Sequence, residues 1–449
     1  MRKFFCALAC VLACGLVFAA PKKSAKYVFL FIGDGMSIPQ RMMVSNYLKA
    51  LGKPDLAINK MPDFALTTTF SASSLITDSA AAATAIACGE KTKNGMVGVA
   101  PDGKKLVSIA EIAKKTGRKV GIITSVTLNH ATPAGFYAKN QSRGAYYEIA
   151  LELLDSGFDY FGGGGVGSHD DKKSKAYKGD IYDLARESGY NVAIGRDDFA
   201  KISGGKTIAV ENKGGAIPYF IDKPDTLRIS DFLKKGIELL DNPRGFFFMV
   251  EGGKIDWMCH ANDAATTLME IEDFNRAVEV AIDFAKKRPN ETLIVVTGDH
   301  ETGGLSLGFA GTGYSLYMDR LALQKASRDA FKDKAKRLMK KGEGFGGAQE
   351  LLAESFGFDF SDDKKNHMRL HSAEREELKK YFESGDADKF ANAALRIFNN
   401  RAGIAWTSTA HTALPVITSA SGVRSGEFKG FIDNTDIPKI IAKILKGNP

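Results

Sequence analysis

The sequence predicts a three-layer α/β/α sandwich on a largely parallel central sheet, with one helical insertion. Apolar runs of strand length at residues 27–32, 120–126, 246–250 and 292–297 lack polar alternation, as expected of strands covered on both faces. Helical spacing fills the chain between them, at 106–115 and in a long amphipathic stretch at 263–287. Strands alternating with helices call for right-handed crossovers and a parallel sheet.

Each run ends on a residue that cannot continue it. The first strand stops at Gly33-Asp34-Gly35, and an alanine-rich run at 80–88 stops at Gly89, the usual residue just past a helix. Ser79 stands at the mouth of that helix, where free N–H groups and the positive end of the helix dipole favour an anion or an ionised serine. Residues 305–405 differ: they are rich in Lys, Glu and Ala, carry helical pieces at 328–339, 349–355, 373–383 and 389–399, and contain no apolar strand run. They read as an insertion, followed by a return to the sheet before His411. Gly162 to Gly167 formally fits G-x-G-x-x-G, but a polar, turn-like segment follows in place of a helix, so it reads as a loop.

Arg2 and Lys3, an apolar run at 4–20 and then Pro21-Lys22-Lys23 form a secretory signal peptide over residues 1–20, with cleavage after Ala19 or Ala20. Val11-Leu12-Ala13-Cys14 leaves a lipoprotein anchor at Cys14 open. The expected location is the periplasm or the exterior, and no later run is long and apolar enough to span a membrane. Removing residues 1–20 leaves Cys88 and Cys259, which is not a disulfide scaffold; a bridge between them stays open, with two free buried thiols the expectation. The formal net charge of the 449 residues is +8, but the lysines are scattered and no strip pairs them with aromatics. A solvated basic surface is expected, not nucleic-acid binding.

The chemistry sits at strand exits, which converge in an α/β sheet. Asp34 lies between two glycines; Glu251 opens a segment in which Asp256 and His260 are spaced i, i+4; Asp299-His300 follows the strand at 292–297; His411 lies in Thr409-Ala410-His411-Thr412. A lone histidine is more often structural than a ligand. Here three of the chain's seven fall in acidic, strand-end contexts. With Asp34, Asp256 and Asp299 they supply two mixed N/O zinc sites, and such a pair can hold Ser79 as alkoxide without a histidine base.

Asp78-Ser79-Ala80, Gly33-Asp34-Gly35, His130-Ala131-Thr132-Pro133, Glu251 to His260, Asp299-His300 and Ala410-His411-Thr412 together resemble the alkaline phosphatases, in that family's order, from residue 27 to the C-terminus. The resemblance implies one catalytic domain over 27–449, with the insertion at about 305–405. It implies Ser79 as the nucleophile that becomes phosphoserine; Asp256, His260 and His411 on the zinc that activates water; and Asp34, Asp299 and His300 on the zinc bound to Ser79. Asp34 would also bridge to a third site, normally Mg²⁺, with Thr132 and Glu251. Arg143 resembles the arginine that grips two phosphate oxygens, a task suited to a guanidinium fork. His130 and Trp257 stand where the best-known bacterial pattern has Asp and Lys. They resemble a His/Trp variant among other bacterial members; the histidine leaves Mg²⁺ with weaker oxygen support, and the tryptophan removes a cation from the phosphate surroundings.

The expected activity is therefore hydrolysis of phosphate monoesters to inorganic phosphate by a homodimer with two Zn²⁺ and one Mg²⁺. The alternatives are a phosphodiesterase of the same superfamily and a non-catalytic periplasmic phosphate-binding protein.

Overall fold

Ten strands make one sheet: β1 (Tyr27–Gly33), β2 (Asp63–Thr68), β3 (Lys119–Thr124), β4 (Tyr160–Gly163), β5 (Asn191–Ile194), β6 (Thr207–Val210), β7 (Phe246–Glu251), β8 (Thr292–Gly298), β9 (Val416–Gly422) and β10 (Gly430–Asp433). Their order is β10-β2-β9-β8-β1-β7-β3-β4-β6-β5. Every neighbouring pair is parallel except those of β9, which runs antiparallel to β2 and β8. The computed structural model describes residues 24–446; the expected signal peptide, with Cys6, Cys10 and Cys14, lies outside them.

Side chains of the central strands alternate between two cores, which is why those strands are apolar throughout. Phe29, Phe31, Phe246, Phe248, Val250, Ile294 and Val296 face one way, under the helix Ala264–Lys287. Phe274 and Phe284 of that helix meet Phe31 and Phe29 edge-on, with ring centroids 5.9 and 5.5 Å apart. Val28, Leu30, Ile32, Phe247, Met249, Leu293 and Val295 face the other way, with Ile86, Ile109 and Ile441 from helices on that side. Helices on both faces complete the three layers.

The helix expected at 106–115 starts at Ile109, because Ser108 and Glu111 form a capping box that fixes its first turn. Between Met318 and Ala402 a 3₁₀ turn and the helices Arg328–Lys340, Phe345–Phe356, Ser372–Glu383 and Ala387–Ala402 pack around Phe331, Phe356, Phe382, Phe390 and Phe398. Asp263 ties them to the sheet. It caps the helix Ala264–Lys287 by accepting from Thr266 N at 3.0 Å, and also accepts from Gln324 Nε2 and Arg328 N, each at 2.8 Å.

Two details differ from the sequence reading. A short strand, Leu305–Leu307, opens this region and pairs antiparallel with Ile404–Trp406; three-residue ribbons are too short for a periodicity signal. The return to the main sheet comes after His411, at β9, while His411–Thr412 pairs with Glu301–Thr302 in a ribbon of its own. Cys88 and Cys259 are free thiols, Cys259 buried and Cys88 only partly so. Among the described residues no helix is long and apolar enough to cross a membrane.

Candidate metal centre and nucleophile

β8, β1, β7 and β3 are neighbours, and register sets their carboxyl ends level: Gly33 pairs with Gly298, Ile32 with Glu251, and Thr124 with Glu251. Asp34, Glu251, Asp299 and His300 therefore converge on one side, all fully buried. The turn after β1 requires glycine. Gly35 has φ +71°, and a Cβ there would come 2.9 Å from Asp256 Cα and 3.0 Å from Thr302 Oγ1. Its N–H donates to Asp299 Oδ1 at 3.1 Å.

Ser79 is the first residue of the helix Ser79–Cys88. Asp78 caps that helix, accepting from Ala81 N at 2.9 Å through one oxygen. Its other oxygen accepts from Gly95 N and Arg143 Nη1, both at 3.0 Å. Arg143 is thereby held against the residue preceding the serine, though 64 positions of sequence separate it from Ser79.

Ser79 Oγ lies 3.2 Å from His300 Nε2. Thr302 gives its only proton to Asp256 Oδ1 at 2.5 Å, so it accepts from His300 Nδ1–H at 3.2 Å. That tautomer leaves a lone pair on His300 Nε2. Asp34 Oδ1 and Asp299 Oδ2 stand 3.3 and 3.2 Å from the same nitrogen, and neither oxygen has a hydrogen-bond partner. Buried polar atoms are normally partnered. Lone pairs facing one another in a dry site fit a cation between them.

A second cluster repeats the pattern. His260 Nδ1 and His411 Nδ1 donate to the carbonyls of Thr409 and Thr77, at 2.6 and 2.8 Å. Carbonyls only accept, so both Nε2 atoms carry lone pairs, and they face each other at 3.2 Å. Asp256 Oδ2 is 3.2 Å from His260 Nε2, and Asp256 Oδ1 is 3.6 Å from His411 Nε2. Fixing a ligand imidazole through its other nitrogen is the usual second layer of a metal site. His300 stacks on His411 with centroids 3.6 Å apart, so the two clusters are contiguous.

A third group comprises Asp34, His130 and Glu251. Glu251 Oε1 and His130 Nδ1 are buried without partners, Thr124 donates to Glu251 Oε2, and Thr132 Oγ1 lies 3.5 Å from Asp34 Oδ2. Asp34 thus turns one oxygen to each side. Trp257 is half-buried, with its ring edge-on to His130 at 6.0 Å. Lys254 supplies a nearby cation, but its Nζ lies 3.2 Å from the Tyr219 ring centroid and 5.0 Å from that of Trp257.

Titration follows these surroundings. Burial, then the neighbouring charge of Asp299, pushes Asp34 well up; burial and then Asp256 do the same to Asp299. Burial raises Glu251 to about 7 against the hydroxyls of Thr124 and Thr132. Burial alone would raise Asp256 too, but protonation of His260, whose Nε2–H then donates to it, and the charges that His300, His260 and His411 carry when protonated hold it below the ordinary carboxylate range in the metal-free site. His130 falls to about 4 through burial and the charge of Arg143.

Every site residue read from the sequence lies in these connected clusters or on their rim. Sequence reasoning missed Thr302, Thr124 and the Gln40–Glu301–Thr412 network, in which Gln40 Nε2 donates to Glu301 Oε1 at 2.6 Å and Thr412 donates to Glu301 Oε2. The polar run Glu301-Thr302 directly after Asp299-His300 was the available signal. One grouping crosses the two triads: Asp256, His300 and His411 also gather within reach of a single ion.

Comparison with known proteins accords with this arrangement. The family model described as Alkaline phosphatase matches residues 25–159 and 183–447. Alkaline phosphatase 4 of Bacillus subtilis (strain 168) is 32% identical over 443 residues, covering 95% of this chain and 90% of that protein. The cold-active alkaline phosphatase of a psychrophilic Shewanella superposes with a TM-score of 0.81 at 30% identity, covering 93% of this chain and 99% of the other. A variant of the alkaline phosphatase of the Antarctic bacterium TAB5, solved with Mg bound in its M3 site, superposes with a TM-score of 0.69 at 27% identity over 95% of this chain and all of the other. With lone pairs gathered around a buried serine and a family match spanning nearly the whole described chain, this protein belongs to the alkaline phosphatase family and is a phosphatase.

Proposed function

We propose that the chain hydrolyses phosphate monoesters through a phosphoserine on Ser79, using two zinc ions and a third metal. The observation that carries this reading is the convergence of Ser79 Oγ, His300 Nε2 and the partnerless Asp34 Oδ1 and Asp299 Oδ2. Asp34, Asp299 and His300 would hold one zinc, Asp256, His260 and His411 the other. When bound, the two ions favour the Ser79 alkoxide, lower the pKa of water and offset charge on the leaving oxygen.

The chain's own residues do the rest. Ser79 Oγ attacks phosphorus, the bond to the ester oxygen breaks, and the alcohol departs with a proton. Water then attacks the phosphoserine, the Oγ–phosphorus bond breaks, and phosphate leaves as Ser79 regains its proton. Arg143, steadied by Asp78, would grip two phosphoryl oxygens and stabilise their charge. Asp34 would bridge to the third metal with Glu251 and Thr132, and His130 and Trp257 would border the phosphoryl group. His130 offers nitrogen where Mg²⁺ prefers oxygen, so this third site accepts softer ions more readily than an all-oxygen site does. Residues 1–20 would be removed on export to the periplasm or exterior. The domain limits of 27–449, the insertion at about 305–405 and the homodimer belong to the same reading.

Ser79→Ala tests it. The variant should retain its metals, fail to trap phosphoserine and lose at least about 10³-fold in monoester turnover. Full turnover by this variant, fewer than two zincs per active chain, or faster cleavage of diesters than monoesters would overturn the reading.

A further inference from the structure

A cavity of about 740 Å³ opens beside His260, between the metal centre and the helices of residues 328–402. Its size falls in the range of small-molecule sites. The sheet side contributes Tyr219, Trp257, His260 and Thr409; the helical side contributes Asn392, Asn399, Asn400 and Trp406. The chain has two tryptophans, and both line this one cavity.

We infer that this cavity binds the alcohol part of the substrate, and that the fitting alcohol is a neutral aromatic one of nucleoside type. The inference rests on the phosphatase reading above and names its substrate class. Position supports it: His260 stands at once in the cavity wall and in the imidazole cluster, so an ester whose phosphorus lies at Ser79 can extend its organic part in this direction. Charge selects the kind of alcohol. The two arginines in the wall are already paired, Arg328 with Asp388 at 2.8 Å and Arg396 with Glu377 at 2.5 Å, and the nearby Lys254 lies over the Tyr219 ring, which weakens the attraction for a second phosphate or a carboxylate. What remains is aromatic surface and amides. Trp257 and Trp406, both half-buried, offer stacking surface. Asn399 is 2% exposed, donates to Asn262 O at 2.7 Å and keeps an Oδ1 without a partner. Flat rings edged with donors and acceptors, as in a nucleobase, use both. The helices of residues 328–402 thereby acquire a role, as one wall of a specificity pocket.

Tryptophan fluorescence reads occupancy directly, because both fluorophores are in the wall. Adenosine should quench the zinc-loaded protein saturably, while glycerol at equal concentration should not. Stacking on an aromatic ring is worth about 1–3 kcal/mol per base, so Trp406→Ala should weaken adenosine binding and kcat/KM for AMP by roughly 10-fold. Hydrolysis of glycerol 2-phosphate should stay within about 2-fold, and Trp406→Phe should restore most of the loss by keeping a ring. Equal loss on both esters, or no adenosine quenching in the parent protein, overturns the pocket assignment. Adenosine binding without hydrolysis of either ester would overturn the phosphatase reading instead, leaving the pocket standing.

Discussion

The imidazole cluster and the carboxylate cluster lie side by side, yet the protein compensates only one of them. Around Asp256, three imidazoles hold the carboxyl ionised despite burial. Around Asp34, Asp299 and Glu251, burial and mutual repulsion push each carboxyl up, and the hydroxyls of Thr124 and Thr132 fall short of offsetting it. The first cluster can take protons on its imidazoles, which then pair with its carboxylate. The second holds buried charge only against added protons or cations, so its integrity is coupled to metal. The rims differ as well: the His260 side chain is 38% exposed, while Asp34 is closed off.

The largest predicted effect separates the two clusters directly. Asp34→Asn keeps the shape and removes the charge that faces two groups at once, and should lower kcat by about 10²–10³-fold. His260→Ala, at the exposed rim, should cost about 10–100-fold, mostly recovered at high Zn²⁺. Stability should move oppositely. In chelator-treated protein Asp34→Asn relieves buried repulsion and raises Tm, whereas His260→Ala leaves Tm unchanged or lower. An Asp34→Asn variant that loses stability without metal would show the carboxylate cluster to be compensated after all.

Stripping the metal should expose the same difference as a pH dependence. Glu251 takes up its proton near pH 7 in the folded chain, against an ordinary value of 4.5. Between those values the folded, metal-free protein binds more protons than the unfolded one, so its stability falls as pH rises through the window. Zinc bound only by the folded form, as proposed, would add about 2.7 kcal/mol per site at a hundredfold excess over Kd and would compete with those protons. Thermal melts from pH 4.5 to 7 should therefore slope downward with chelator and flat or upward with zinc. A downward slope in both states would place the dependence elsewhere in the molecule.

How much of this was legible beforehand follows from the same physics. β1, β3, β7 and β8 declared themselves because strands covered on both faces leave unbroken apolar runs. β4, β5 and β6 have four residues each, and β9 carries Ser and Thr, so none offered a period to read. The candidate ligands were visible as rare histidines beside acids at strand ends. Their grouping came only with the family resemblance: the i, i+4 spacing by itself joins Asp256 to His260, while the fold also brings His300 and His411 to Asp256. The Asp78–Arg143 ion pair and the Thr302 bridge cross 65 and 46 positions, distances that only the assembled sheet closes.

Thr302 gives a smaller test. Thr302→Val removes the hydroxyl that donates to Asp256 and accepts from His300, linking the clusters without ligating in either. Loss of such an orienting partner should cost about 10-fold in zinc affinity, with Thr302→Ser recovering most of it. Equal loss in the Ser variant would mean that the methyl group and packing, not the hydroxyl, are what matter.

The smallest expected effect is at His130, where the carboxylate cluster borrows a nitrogen. His130→Asp replaces a buried imidazole, whose Nδ1 has no partner, with the oxygen that Mg²⁺ prefers. It also adds a negative charge beside Asp34 and Glu251, which sharpens the contrast between the clusters. The metal-free variant should be less stable than the parent near pH 7, because a further buried carboxylate lacks a cation. With Mg²⁺ the order should reverse, and half-activation should need several-fold less Mg²⁺. A titration of activity against Mg²⁺, run beside melts with and without the ion, reads both halves. Unchanged Mg²⁺ demand would mean that His130 lies outside the third site and that Asp34, Thr132 and Glu251 define it alone.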